Sequence, residues 1–446
     1  MRKHEGRTGF PPGGVLTIES LLKPFIKTIV IKGKPGAGKT TLSFELMRMV
    51  GSGLYVSTRT ALKELADQYP YIKPLVEEGA VRGISFEDLR LGSAADVMES
   101  VLKATEELKN PVIILDSWDS IARELDPIER LRAEKSLAAM VEPTDSKLVF
   151  VSETAETRSL DYLADAIVVL EDREVDGARM RYIVWEKIRG TLIPQKRYIF
   201  TLHEGRFRMF QPLIMKRPEP TREFKPLELE GAYSTGSMQL DRLLGRGMPK
   251  GSGTLFLLGR EVFSHAILPF IAIMISNFVM TGGSAVVMPI AGISMRAMTE
   301  ATVGQLPEEL RSRVKVVDVK KEEIDLTSPE AALRDLRRII KDAKGEEERN
   351  CMIIAGMDFL EYYFPGRDLR AMSLDIMGQV KDTEDTAVFI ARPSTKIREE
   401  LEDLVDSSLE LKMIEGALVL RSRKPPSIYY HLDFTGERGI ELTPIV

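Results

Sequence analysis

The run Gly33-Lys34-Pro35-Gly36-Ala37-Gly38-Lys39-Thr40 meets every fixed position of the pattern G-x-x-x-x-G-K-[ST], and it directly follows an apolar stretch, Thr28-Ile29-Val30-Ile31. This order demands a strand, a tight glycine turn and a helix, the last read over Thr41-Leu42-Ser43-Phe44-Glu45-Leu46-Met47. Glycines at 33, 36 and 38 let successive N–H groups converge on one anion, while the helix points its positive end at the same place. Lys39 is placed to reach β- and γ-phosphate oxygens and the Thr40 hydroxyl to ligate Mg²⁺, so residues Gly33 to Thr41 form the expected ATP cradle.

A second apolar run, Asn110-Pro111-Val112-Ile113-Ile114-Leu115-Asp116, ends in a carboxylate suited to hold Mg²⁺ through water. Further strands are read at Lys147 to Ser152 and Ala166 to Leu170, with helical stretches between, which predicts an α/β domain with a mostly parallel sheet. Lys39, Asp116 and Glu153, the last directly after the Lys147 strand, are the candidate catalytic groups.

Hydrophobic residues make up 43% of the 446 positions, enough for two cores. The net charge of −5 disfavours a general nucleic-acid or anionic-membrane surface. A single cysteine, Cys351, and a charged start, Met1 to Arg7, fit a reducing cytoplasm and no secretory leader. The stretch from Val262 to Met295 lacks Asp, Glu, Lys and Arg, yet Pro269, Asn277 and Gly282-Gly283 divide it into a helix, a turn and a strand, Ser284 to Met288. It is read as a buried helix and central strand, with no membrane partner.

The chain repeats itself. A proline-bearing segment, 212–230, separates residues 1–211 from 231–446, and both halves run from a Thr-Gly motif (Thr8-Gly9, Thr235-Gly236) to an apolar strand and then glycine. Where the first half has Gly33-x4-Gly38-Lys39-Thr40, the second has Gly259-x4-Ser264-His265-Ala266, and where the first has Asp116 the second has Gly356. The second half is therefore expected to hold no ATP.

These patterns resemble the RecA superfamily, in particular its KaiC-like branch that includes the gas-vesicle regulator GvpD. The resemblance rests on Ser234-Thr235-Gly236…Leu243-Leu244-Gly245-x-Gly247-x-Pro249-x-Gly251-Ser252, on Trp185-Glu186-Lys187-Ile188-Arg189-Gly190-Thr191 and on Tyr198 to Leu202 with Gly205-Arg206-Phe207. It implies two tandem RecA-like P-loop domains, the second degenerate, in a homo-oligomeric ring such as a hexamer, where Lys187 and Arg189 reach the γ-phosphate of a neighbour's nucleotide. Arg421 and Arg423 are read as their counterparts, making salt bridges between subunits or binding another anion. Active relatives carry acids after the second strand; here Ser57-Thr58-Arg59-Thr60 stands there, as in GvpD-like members, leaving Glu64, Asp119 and Glu153 as candidate bases.

The resulting expectation is a regulatory ATPase, slow or partner-dependent, with one site per chain and a protein partner. The alternative is a DNA-repair recombinase or mediator. Against DNA stands the net acidic run Glu153 to Asp161, where a basic or glycine-rich loop is expected.

Overall fold

The computed structural model describes residues 16–85, 94–154, 158–213, 224–321, 323–435 and 439–446. The Thr8 to Gly13 motif, residues 155–157 of the acidic run and residues 214–223 of the proline-bearing segment lie outside the described residues. The chain divides into two compact units, one ending at Gln211 but also taking in Ile445–Val446, the other spanning Pro212–Pro444. Residues 224–230 thus belong with the second unit, where Leu229 bridges to Ala232.

The first unit contains β1 (Thr28–Gly33), β2 (Gly53–Ser57), β3 (Val81–Ser85), β4 (Val112–Asp116), β5 (Lys147–Ser152), β6 (Ala166–Val175), β7 (Ala178–Ile188), β8 (Arg197–Thr201) and β9 (Arg208–Met209). They form one sheet in the order β3-β2-β4-β5-β1-β6-β7-β8-β9, parallel through β6 and antiparallel beyond it. Both faces are covered, as a parallel sheet requires. Ile29 and Ile31 pack with Leu42, Phe44 and Leu46 of the helix Lys39–Val50, whereas Val30 and its neighbours Leu54 and Val56 pack with Trp118, Ala133 and Leu137. This alternation explains why the strands read as unbroken apolar runs.

In the second unit β10 (Ala232–Tyr233) pairs with β11 (Met248–Pro249). The main sheet comprises β12 (Ser252–Leu258), β13 (Ser284–Val287), β14 (Val314–Val316), β15 (Cys351–Gly356), β16 (Thr386–Ala391), β17 (Ser407–Ile414), β18 (Ala417–Lys424), β19 (Tyr430–Thr435) and β20 (Gly439–Pro444). Its order, β14-β13-β15-β16-β12-β17-β18-β19-β20, matches the first sheet strand for strand. The protein is α/β, with two tandem P-loop-type domains. The uncharged stretch becomes a helix, Leu268–Met280, followed by β13, and no helix among the described residues is long and apolar enough to cross a membrane.

Strand register corrects two details of the internal alignment. Asp165 exchanges backbone and side-chain hydrogen bonds with Thr28, and Asp406 does the same with Gly253, so those pairs are equivalent. Counting from them, Gly33 faces Leu170 as Leu258 faces Leu411, which shifts the degenerate loop by one residue and sets Ser264 at the place of Lys39. Matching glycine to glycine misled, because hydrogen-bond register and not residue type fixes equivalence in a sheet. Likewise Ile167 faces Lys187 as Ser408 faces Lys424, so Lys424, not Arg421 or Arg423, is the counterpart of Lys187.

Candidate nucleotide site

The site is built at the carboxyl ends of β1, β2, β4 and β5, where an open α/β sheet presents its crevice. Gly36 and Gly38 have φ of 78° and 100°, left-handed values that side chains resist, and a Cβ at Gly36 would meet nothing within 4 Å. Gly33 is needed for close approach, since a Cβ there would lie 2.6 Å from the Leu170 carbonyl oxygen. Lys39 begins the helix and folds back over the loop, donating to the carbonyls of Gly33 (2.7 Å) and Lys34 (3.0 Å). Burial holds its ammonium below the usual lysine range, while Glu153 and Asp116 act in the opposite direction.

Asp116 ends β4 and gathers two hydroxyls on one oxygen: Thr40 Oγ1 at 2.8 Å and Tyr55 OH at 2.7 Å from Oδ2. Thr40 and Asp116, separated by 76 positions, thus meet where a divalent cation bound to phosphate would sit. Burial first, and Asp116 second, push the Tyr55 phenol far above its ordinary range, so it stays a hydrogen-bond donor. Tyr55 was not singled out from sequence. Strand alternation sets it on the face opposite Leu54 and Val56, but nothing in the sequence shows that it reaches Asp116.

A cleft of about 310 Å³ opens here, lined at the loop by Pro35, Gly36, Gly38, Lys39, Thr40 and Thr41. Tyr55, Thr58, Arg59, Thr60, Asp116 and Glu153 form another part of its wall, with Leu65, Tyr69 and Leu202 contributing apolar surface. Gly33, Lys34 and Ala37 shape the loop from behind, Ala37 being buried. An open glycine cradle, an inward lysine and a hydroxyl–carboxylate pair fit a Mg²⁺-bound polyphosphate.

The loop after β2 is pinned at the cleft. Ser57 Oγ accepts from the N–H groups of Arg59 (3.3 Å) and Thr60 (3.0 Å), Thr58 N–H donates to the Asp116 carbonyl (3.0 Å), and Ser117 N–H donates to Thr58 Oγ1 (3.2 Å). Arg59 then crosses to Glu153, with Nη2 2.9 Å from Oε1. Of the three candidate bases, Glu153 lines the cleft; Glu64 is exposed on the helix Leu62–Gln68, and Asp119 accepts from Ser152 Oγ (3.0 Å) and Glu153 N–H (2.6 Å).

Lys187 and Arg189 lie outside this cleft. Lys187 donates to the Asp161 carbonyl (2.9 Å), and Arg189, one residue beyond β7, pairs with Asp165 at 2.8 Å while 70% exposed. Arg421 and Arg423 pair within their own unit, with Glu410 and Glu402 at 2.7 Å each.

In the second unit an arginine occupies the loop. Arg392 directly follows β16, at the place of Glu153 by register, and donates to the Val262 carbonyl (3.1 Å), the Gly259 carbonyl (3.5 Å) and Ser264 Oγ (2.7 Å). Its Nε lies 3.6 Å from Asp358 Oδ2.

The family described as GvpD gas vesicle protein, P-loop domain, matches residues 21–184. The P-loop half of the chain is thus similar to the GvpD proteins. It is 30% identical over 301 residues to Protein GvpD1 of Halobacterium salinarum, covering 60% of this chain and 54% of that protein. Against Protein GvpD2 of the same organism the identity is 28% over 294 residues, covering 60% and 59%. The GvpD-like chain therefore spans somewhat more than half the length of these relatives. The matched P-loop domain holds the glycine loop, Lys39, Thr40, Tyr55, Asp116 and Glu153.

Proposed function

We propose that the first unit binds ATP with Mg²⁺, one equivalent per chain, and that its nucleotide state controls a protein partner, with slow or partner-dependent hydrolysis. The observation that carries the reading is the convergence of Lys39, Thr40 and Asp116 around an open glycine cradle, set beside a second loop whose equivalent space holds the Arg392 guanidinium. When bound, Mg²⁺ would neutralise phosphate charge and leave Thr40 and Asp116 as its protein-side contacts. Lys39 would exchange its carbonyl partners for phosphate oxygens, a charge-assisted contact stronger than the ones it gives up. Slow turnover follows from Arg59 and Thr60 standing after the second strand, where a water-activating acid is expected.

The description of the matching family points to gas-vesicle biology, and a regulatory role there in the cytoplasm is the proposed setting. Assembly into a ring, with Lys187 and Arg189 reaching a neighbour's nucleotide, belongs to the same proposal. The test is calorimetric titration with a non-hydrolysable ATP analogue and Mg²⁺. One equivalent, lost in Lys39→Ala, supports the reading, whereas two equivalents or none overturn it.

A further inference from the structure

We infer that Arg59 is the residue by which this site distinguishes a nucleoside triphosphate from a diphosphate, with Glu153 as the competing partner that holds it when no γ-phosphate is present. The inference rests on the nucleotide-site reading above and extends it to specificity. Arg59 and Glu153 both line the cleft beside Gly36 and Lys39, and they are joined by an ion pair of 2.9 Å.

The two ends of Arg59 behave differently. Its backbone is immobilised: Ser57 Oγ accepts its N–H, Thr58 is stitched to the end of β4 on both sides, and Asp116 there is held by Tyr55 and Thr40. Its side chain is 66% exposed and has, among the described residues, one carboxylate partner, itself 28% exposed. Exposed ion pairs are weak because water competes for both members. A terminal phosphate group offers guanidinium a higher charge than a carboxylate and two oxygens matched to its fork, so exchange of partners is favourable.

The site also needs such an exchange. Glu153 N–H is fixed by Asp119, which keeps its carboxylate at the rim, close enough that it is the strongest favourable charge acting on Lys39. A terminal phosphate arriving beside Lys39 meets that negative charge unless Arg59 lies between them. A diphosphate, ending one phosphate earlier, does not depend on the exchange. With a triphosphate bound, Glu153 gives up Arg59; with a diphosphate, it keeps it.

The experiment measures affinities of the full chain for a non-hydrolysable triphosphate and for the diphosphate, both with Mg²⁺, in wild type, Arg59→Ala, Arg59→Lys and Glu153→Gln. The ratio of triphosphate to diphosphate affinity should fall about tenfold in Arg59→Ala and less in Arg59→Lys, and should rise several-fold in Glu153→Gln. Circular dichroism of each variant establishes that it folds, and Arg59→Lys and Glu153→Gln carry the test if Arg59→Ala does not. A ratio unchanged in all folded variants that still bind both nucleotides overturns the inference while leaving the nucleotide site standing. Wild-type protein that binds neither nucleotide overturns the site reading itself, and the inference with it.

Discussion

In the first unit the cation that covers the loop carbonyls belongs to the loop's own helix; in the second it arrives from the end of β16. Lys39 reaches back to Gly33 and Lys34 through a flexible stem and can turn to a phosphate, whereas Arg392 spreads three contacts over Gly259, Val262 and Ser264 with Asp358 behind it. The same sheet thus supports an open cradle and a filled one. The exchange at one register position, Glu153 for Arg392, reverses the charge at the rim and sets a guanidinium against the loop carbonyls. Loss of Lys39's equivalent alone would have left carbonyls without a donor, a cost that the arginine offsets.

The largest effect expected of this comparison is on binding. Lys39→Ala should weaken ATP-analogue affinity by a factor of at least about 100, because it removes a charge-assisted contact to phosphate and the donor that orders the loop. Arg392→Ala should leave affinity and stoichiometry as they are, measured by the same titration. Recovery of a second nucleotide equivalent in Arg392→Ala would break the comparison, showing that the guanidinium alone closes that loop.

Stability should respond in the opposite way. Arg392→Ala strands the Gly259 and Val262 carbonyls and the Asp358 carboxylate, and should cost about 1–3 kcal/mol, the lower end reflecting residual exposure. Denaturant unfolding that reports on the second unit checks this. Asp358 adds a pH signature, since burial raises its carboxyl above the ordinary value despite backbone N–H donors and Arg392. A folded value above the unfolded one means that the native state retains a proton the unfolded chain has released. The contribution of Asp358 is therefore most favourable below the unfolded value and declines as pH rises through the raised folded value. Asp358→Asn should gain stability relative to wild type across that rise, and a difference that stays flat with pH would show that burial there is better compensated than the geometry suggests.

A smaller effect is expected at Tyr55, which has no role in the second unit's loop. Tyr55→Phe removes one hydrogen bond to Asp116 and should weaken the Mg²⁺ dependence of nucleotide binding by about 1 kcal/mol, read from Mg²⁺ titrations at fixed nucleotide. The smallest effect on the isolated chain belongs to Arg189, whose guanidinium is exposed where it meets the buried Asp165, so that water screens the pair to about 1 kcal/mol. Its replacement together with Lys187 should instead loosen ATP-dependent assembly, read by sedimentation.

Much was legible in the sequence because it is local or periodic. The glycine loop, the helix after it and the Asp116 strand are contiguous runs whose backbone demands and apolar content announce themselves, and the duplicated order of such runs predicted two α/β domains. The absence of Lys39's counterpart was equally plain, since a missing charge needs no geometry to be seen. Tertiary structure decided what depends on hydrogen-bond register and on contacts between distant strands. Tyr55 reaches Asp116, Arg59 reaches Glu153, and Arg392 enters the second loop only because parallel pairing brings the ends of β2, β4 and β5, or of β15, β16 and β12, side by side. Register also moved the degenerate loop by one residue and replaced Arg421 with Lys424 as the counterpart of Lys187. A sequence names the residues on each strand, but a ladder that can slip by one position is fixed by the partners it bonds to, and those lie more than a hundred residues away.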